Sequence, residues 1–138
     1  MHYLALVLMA MVGYGVFSIL AKIALRNIPP EAAVIVTNGL LLISAVAWSI
    51  YRQVSVTSHI SLNTPTLLLL LAGAVLSFSI ISFYLALSRG PASVVVPIFS
   101  MSFAVASVLG ILILGEPLKM VRILGVLMAI GAIALLTR

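Results

Sequence analysis

The sequence predicts an all-α integral membrane protein of five transmembrane helices, and two observations carry that prediction. Hydrophobic residues make up 64% of the 138 residues and charged ones 7%, with a mean hydropathy of +1.41. A water-soluble domain of this size has too much surface to cover with so few polar groups. The second observation is spacing: apolar runs recur at the length of about 18 residues or more that crosses roughly 30 Å of hydrocarbon. Each Lys and Arg stands near the end of such a run.

The first expected helix covers residues 3–25 and closes at the RNIPP of residues 26–30, where two prolines stop it. It is too long, and its start too poor in basic residues, for a cleaved signal segment. The second covers 31–51, with Trp48 and Tyr51 as interfacial anchors near its end. RQVSVTSHISLNT, residues 52–64, is the one polar stretch of any length and reads as an extended or interfacial loop.

The third helix covers 65–88, and Arg89, Gly90 and Pro91 turn tightly into a fourth at 92–114. Pro97 within the fourth is expected to bend it, because proline cannot donate to the carbonyl four residues back. Gly115 is placed to end that helix and Pro117 to begin the fifth, at 118–136. Glu116 then lies where a helix dipole favours a carboxylate, with Lys119 and Arg122 at pairing distance along the helix and as headgroup anchors. The loops leave no room for a further domain, so residues 1–138 read as one transmembrane domain.

Composition also excludes functions. The net charge of +5 has no solvated face to occupy, so nucleic acid is not an expected partner. There is no Cys, no Asp, and only two His and two Glu. Thiolate chemistry, metal binding and intramembrane proteolysis therefore lack their groups, and neither an enzyme nor a cofactor is expected. No acid lies in the middle of a span, because Glu31 and Glu116 sit at helix starts. The bilayer itself is the first expected partner.

Five spans put the termini on opposite faces. Arg52, Lys119 and Arg122 then face Arg26, Arg89 and Arg138, with Lys22 joining the latter group if it snorkels. A bias this small permits insertion in both orientations, and pairing of the two forms would build an inverted repeat from one sequence. A fixed orientation set by other features is the alternative.

The polar residues that remain inside the spans form stripes. Ser93, Pro97, Ser100, Ala104 and Ser107 follow one face of the fourth span. Gly73, Ser77, Ile81, Tyr84 and Ser88 do the same on the third, Thr37, Asn38 and Ser44 mark the second, and Tyr14, Ser18 and Lys22 the first. Together they suggest a shared, mildly polar cavity near the midplane. Any single hydroxyl is equally explained by bonding to its own helix backbone, and Asn38 by a bond between helices. Lys22 either snorkels to the interface or attracts an anionic group. In the last helix Gly125, Ala129 and Ala132 make a small-residue stripe suited to close helix packing, within the chain or across a dimer.

FYLALSRGPASVVVPI at 83–98, LGEP at 114–117 and the Gly/Ala-rich last helix resemble the drug/metabolite transporter superfamily, specifically one five-helix EamA-type repeat. The resemblance covers the whole chain and is most specific over residues 80–136. It implies a small-molecule transporter of a bacterial cytoplasmic (inner) membrane, formed by two such units in inverted orientation, here an antiparallel homodimer. It implies alternating access, with helices one to four lining the pathway and the last helix at the periphery or dimer seam.

In that reading Tyr14, Ser18, Asn38, Ser77, Tyr84, Pro97, Ser100 and Ser107 border a neutral, amphipathic or anionic metabolite, and Lys22, Arg26 and Arg89 meet an anionic group or headgroup. Small relatives in the superfamily act in lipid-linked sugar flippases and share a P-x-x-S-x-x-F pattern, matched by Pro97, Ser100 and Phe103. A flippase component is thus a second expectation, and a non-transporting assembly subunit a third. Related four-helix small multidrug resistance proteins couple export to protons through a glutamate in the first helix. This chain has no acid there.

Overall fold

The computed structural model describes residues 2–56, 60, 61, 63–115, 117 and 120–136, except for the side chains of residues 2, 122, 129 and 136. The described residues form six helices: α1 (His2–Ala24), α2 (Pro30–Tyr51), α3 (Thr64–Arg89), α4 (Ala92–Ser100), α5 (Ser102–Leu114) and α6 (Met120–Leu136). Four stretches are long and apolar enough to cross a membrane: Tyr3–Ala24, Pro30–Tyr51, Thr64–Arg89 and Ala92–Leu114. At 17 residues α6 is apolar but shorter, about 26 Å at the helical rise.

Local chemistry explains the helix ends. Pro30 opens α2 rather than ending α1, as its fixed φ and missing N–H suit a first helical position. Past α1 the chain tightens, with Arg26 N–H bonding to Ile23 O at 3.2 Å and Asn27 N–H to Ala24 O at 3.1 Å. The Asn63 side chain accepts from Thr66 N–H at 3.0 Å, capping α3 one residue earlier than its proline suggests. α5 ends on Gly115, whose φ of 65° is left-handed.

The end of α2 is the least expected of these. Gln53 takes a φ of 53°. Its N–H bonds to Ile50 O at 3.0 Å, and Val54 N–H reaches Ser49 O at 3.1 Å. That pair of bonds is the Schellman closure, here built on a residue with a side chain. The described part of the 52–64 segment, expected as an extended or interfacial loop, therefore begins as a helix cap.

The fourth span also departs from expectation, because it is two helices joined at Met101. Met101 N–H bonds to Ile98 O at 3.0 Å, a three-residue step that tightens the turn and breaks the four-residue ladder. The interruption falls one turn beyond Pro97. It divides the expected stripe, leaving Ser93, Pro97 and Ser100 on α4 and Ala104 and Ser107 on α5.

The chain divides into two compact units, residues 1–20 with 89–138 and residues 21–88. The first holds most of α1 with α4, α5 and α6. Its buried side chains are Ser18 and Ala104. The second holds the end of α1, α2 and most of α3, and buries Ala21, Ala33, Phe83, Tyr84 and Leu87. Phe83, Tyr84 and Leu87 fall on one face of α3 at spacings of one and three. The large aliphatic residues elsewhere on these helices are exposed, as lipid-facing positions are in a bilayer.

Candidate functional site

The polar candidates of unit 21–88 lie on three helix segments that two bonds tie together. Lys22, in the last turn of α1, donates from Nζ to the backbone carbonyl of Leu87 at 2.7 Å. The last carbonyls of a helix have no partner within it, and α3 ends at Arg89, so the ammonium meets both an orphan acceptor and the negative end of the helix dipole. Thr37 Oγ1 and the Tyr84 hydroxyl lie 2.7 Å apart, and Thr37 Oγ1 also donates to Ala33 O at 2.9 Å. Tyr84 therefore donates to Thr37, which passes its own proton to the backbone of α2. Tyr84 is 2% exposed, so its ring and hydroxyl close the α2–α3 seam.

Asn38 and Ser77 are oriented differently. Asn38 Nδ2 donates to Val34 O and Ser77 Oγ to Gly73 O, each at 2.8 Å. Asn38 is half-buried and Ser77 exposed. No hydrogen bond carries either to another helix among the described residues. Arg26, in the turn after α1, is exposed.

In the other unit the centre is aromatic. Tyr14 stacks on Phe99 of α4 with ring centroids 5.8 Å apart and planes 10° from parallel, and meets Phe17 at 5.4 Å and 53°. Tyr14 remains 40% exposed. Ser18, one turn on, is fully buried and donates to Tyr14 O at 2.8 Å. Ser100 donates to Val96 O at 2.8 Å and is exposed, next to a half-buried Pro97 in the same α4 face. Arg89 is exposed at the end of α3.

Ser107 sits apart from that aromatic group, in an apolar groove of about 300 Å³ between α5 and α6 that also takes in Val108, Ile111, Ile123 and Val126. On α6, Gly125 and Ala132 are exposed. A Cβ added at Gly125 would meet nothing within 4 Å. Glu116 and Lys119 lie outside the described residues, as do the side chains of Arg122 and Ala129.

One chemical property unites these groups. Ser18, Ser44, Ser77, Ser82 and Ser100 each spend their proton on the carbonyl four residues back on their own helix. A hydroxyl that has donated still holds lone pairs. The exposed hydroxyls of Ser44, Ser77, Ser82 and Ser100 thus offer acceptors, not donors. No group of three His, Cys, Asp or Glu capable of holding a metal occurs among the described residues.

The polar stripes in the sequence mark Lys22, Tyr14 and both members of the Thr37–Tyr84 pair, but not Leu87 or Phe99. Leu87 acts through its carbonyl, which no side-chain pattern marks. Phe99 carries a weak signal, since it and Tyr14 are the aromatic residues nearest the proline of α4 and the middle of α1.

An all-helical chain with four apolar stretches of spanning length, its exposed polar groups confined to helix ends and short stripes, is an integral membrane protein. Its sequence matches the model of the EamA-like transporter family over residues 1–138, and the chain belongs to that family. Neither a curated protein nor a solved structure matches it.

Proposed function

We propose that the protein is a transporter of small, uncharged, amphipathic molecules bearing hydrogen-bond donors, moved by alternating access in a bacterial cytoplasmic membrane. α6 is the fifth spanning helix, and the working form is an antiparallel homodimer. The five helices form one EamA-type domain, and Tyr14, Pro97 and Ser100 border the pathway, with Ser18 behind Tyr14. The observation that carries the substrate class is the direction of the hydroxyls: with protons turned onto their own helices, they favour a ligand that donates. Tyr14 and Phe99 add a flat apolar wall beside Ser100.

Anionic substrates are a weaker fit, because the Leu87 carbonyl holds the Lys22 ammonium at the end of α3 and takes one of its three donors. Family membership supplies the transport itself. The open stripe at Gly125 and Ala132 suits a second copy, since small residues let membrane helices approach closely. With no acid in the middle of a span, a proton relay through a buried carboxylate has no candidate residue.

A binding screen tests this reading. A ligand that binds the folded state raises its apparent stability by RT ln(1 + [L]/Kd), about 2.7 kcal/mol at a hundredfold excess over Kd. Thermal shifts of the purified protein are expected with neutral donor-bearing compounds and to shrink in Ser100→Leu. Shifts confined to phosphate-bearing polyprenyl lipids would replace this reading with that of a flippase component. Shifts with no compound, together with co-purification of a larger membrane protein, would point to an assembly subunit.

A further inference from the structure

A second, different surface lies at one end of unit 21–88. A groove of about 270 Å³ runs between the start of α2 and the last turns of α3, walled by Pro30, Val34, Ile35, Ile81 and Leu85, with Glu31 on its rim. Ile81 and Leu85 are four residues apart, so the groove follows one face of α3. Glu31 is exposed, and no hydrogen bond or ion pair engages its carboxylate among the described residues. It is the only acid within the described residues, and it stands at a helix start, the level at which a spanning helix meets headgroups.

Cations stand at the same end. Lys22 reaches the last turn of α3 through Leu87 O, and Arg26 follows four residues later in an exposed turn. A hydrocarbon-walled groove with one carboxylate at its mouth, and an exposed arginine in the turn five residues before that carboxylate, match a zwitterion attached to an acyl chain. We infer that this groove holds an aminophospholipid of the bilayer, its chain against Ile35, Ile81 and Leu85, its ammonium on Glu31 and its phosphate toward Arg26.

The choice of headgroup follows from the carboxylate. A primary ammonium donates charge-assisted hydrogen bonds to it. A choline headgroup carries the same charge but has no N–H to give. A glycerol headgroup leaves the lipid with a net negative charge beside Glu31. Phosphatidylethanolamine is therefore preferred over phosphatidylcholine and phosphatidylglycerol. The inference needs only that the chain lies in a bilayer and stands whether or not the transport reading does.

Native mass spectrometry of the purified full chain, loaded with equal amounts of the three lipids, tests it. The wild-type chain is expected to retain phosphatidylethanolamine over phosphatidylcholine by about threefold to tenfold, the range of one partly exposed charge-assisted contact. Glu31→Gln should bring the two lipids level and raise phosphatidylglycerol retention, because the repelling carboxylate is gone, while leaving the oligomeric state unchanged. Ile81→Trp, which fills the groove, should lower retention of the amine lipid and leave the oligomeric state unaltered. Equal retention of the amine lipid by the wild type and Glu31→Gln would overturn the inference, as would a preference for phosphatidylglycerol. A change of oligomeric state in Ile81→Trp with retention intact would overturn it too, and would assign the groove to a second copy of the chain.

Discussion

The ammonium of Lys22 sits 2.7 Å from the backbone carbonyl of Leu87, so the end of α1 caps the end of α3. A cation in a spanning helix is costly unless something accepts its protons. Here the acceptor is a carbonyl that the helix itself leaves unpaired. The arrangement explains the placement of Lys22 without a bound anion.

The cap predicts a graded loss of stability. Hydrogen bonds to charged groups contribute about 1.5 to 3 kcal/mol in soluble proteins, whereas interhelical bonds in membranes average about 0.6 kcal/mol. Lys22 is half-buried, so Lys22→Met is expected to cost about 1 kcal/mol and Lys22→Arg less. Reversible unfolding in mixed micelles reads this directly. Unchanged stability in Lys22→Met, with selective loss of anion binding, would return Lys22 to a substrate role.

The α2–α3 seam makes a second prediction. Thr37 and Tyr84 share one hydrogen bond, so Thr37→Val and Tyr84→Phe should not be additive. A double-mutant cycle should show a coupling of about 0.6 kcal/mol. Zero coupling would mean that the bond holds nothing together.

Two left-handed positions should respond with opposite signs. Gly115 has a φ of 65° and nothing near its missing Cβ, so Gly115→Ala strains the backbone alone and should destabilise by about 1 kcal/mol. Gln53 has a φ of 53° within a complete Schellman closure, so Gln53→Gly should stabilise by about 0.5 to 1 kcal/mol. Melting temperatures of the two variants that move in the same direction would contradict this account of both helix ends.

These positions also show how far the chain's order of residues reveals its structure. Gly115 was legible, because glycine between an apolar run and a proline has a single local meaning. Gln53 was not, since nothing about glutamine marks a left-handed cap, and the alternation around it reads as extended chain. In the fourth span the ladder breaks at Met101, one turn past Pro97, at a residue whose type marks no helix boundary. The stripes identified the hydroxyl-bearing faces, but where each proton points depends on backbone acceptors that every helix supplies alike. For that reason the acceptor character of Ser77 and Ser100 emerges only with the atoms in place.

Insertion in two orientations is a fourth expectation, drawn from the near balance of cations on the two sides. The chain has no Cys, so single cysteines added at loop positions can be labelled from one side with an impermeant reagent. About half of each is expected to react before the membrane is opened and half after, as equal insertion of both forms requires. Complete labelling from one side at every position would fix one orientation and remove the antiparallel pair.

The most direct measurement is flux through vesicles containing only this chain, loaded with a compound from the binding screen and held without a proton gradient. Uptake is expected in the wild type, with a loss of about tenfold or more in Tyr14→Ala and in Ser100→Leu, the scale of 1.4 kcal/mol or more at the pathway wall, and a smaller loss in Ser100→Ala, which removes the acceptor without adding bulk. No uptake by the wild type, or full uptake by both impaired variants, would contradict transport through a passage walled by Tyr14 and the α4 hydroxyls.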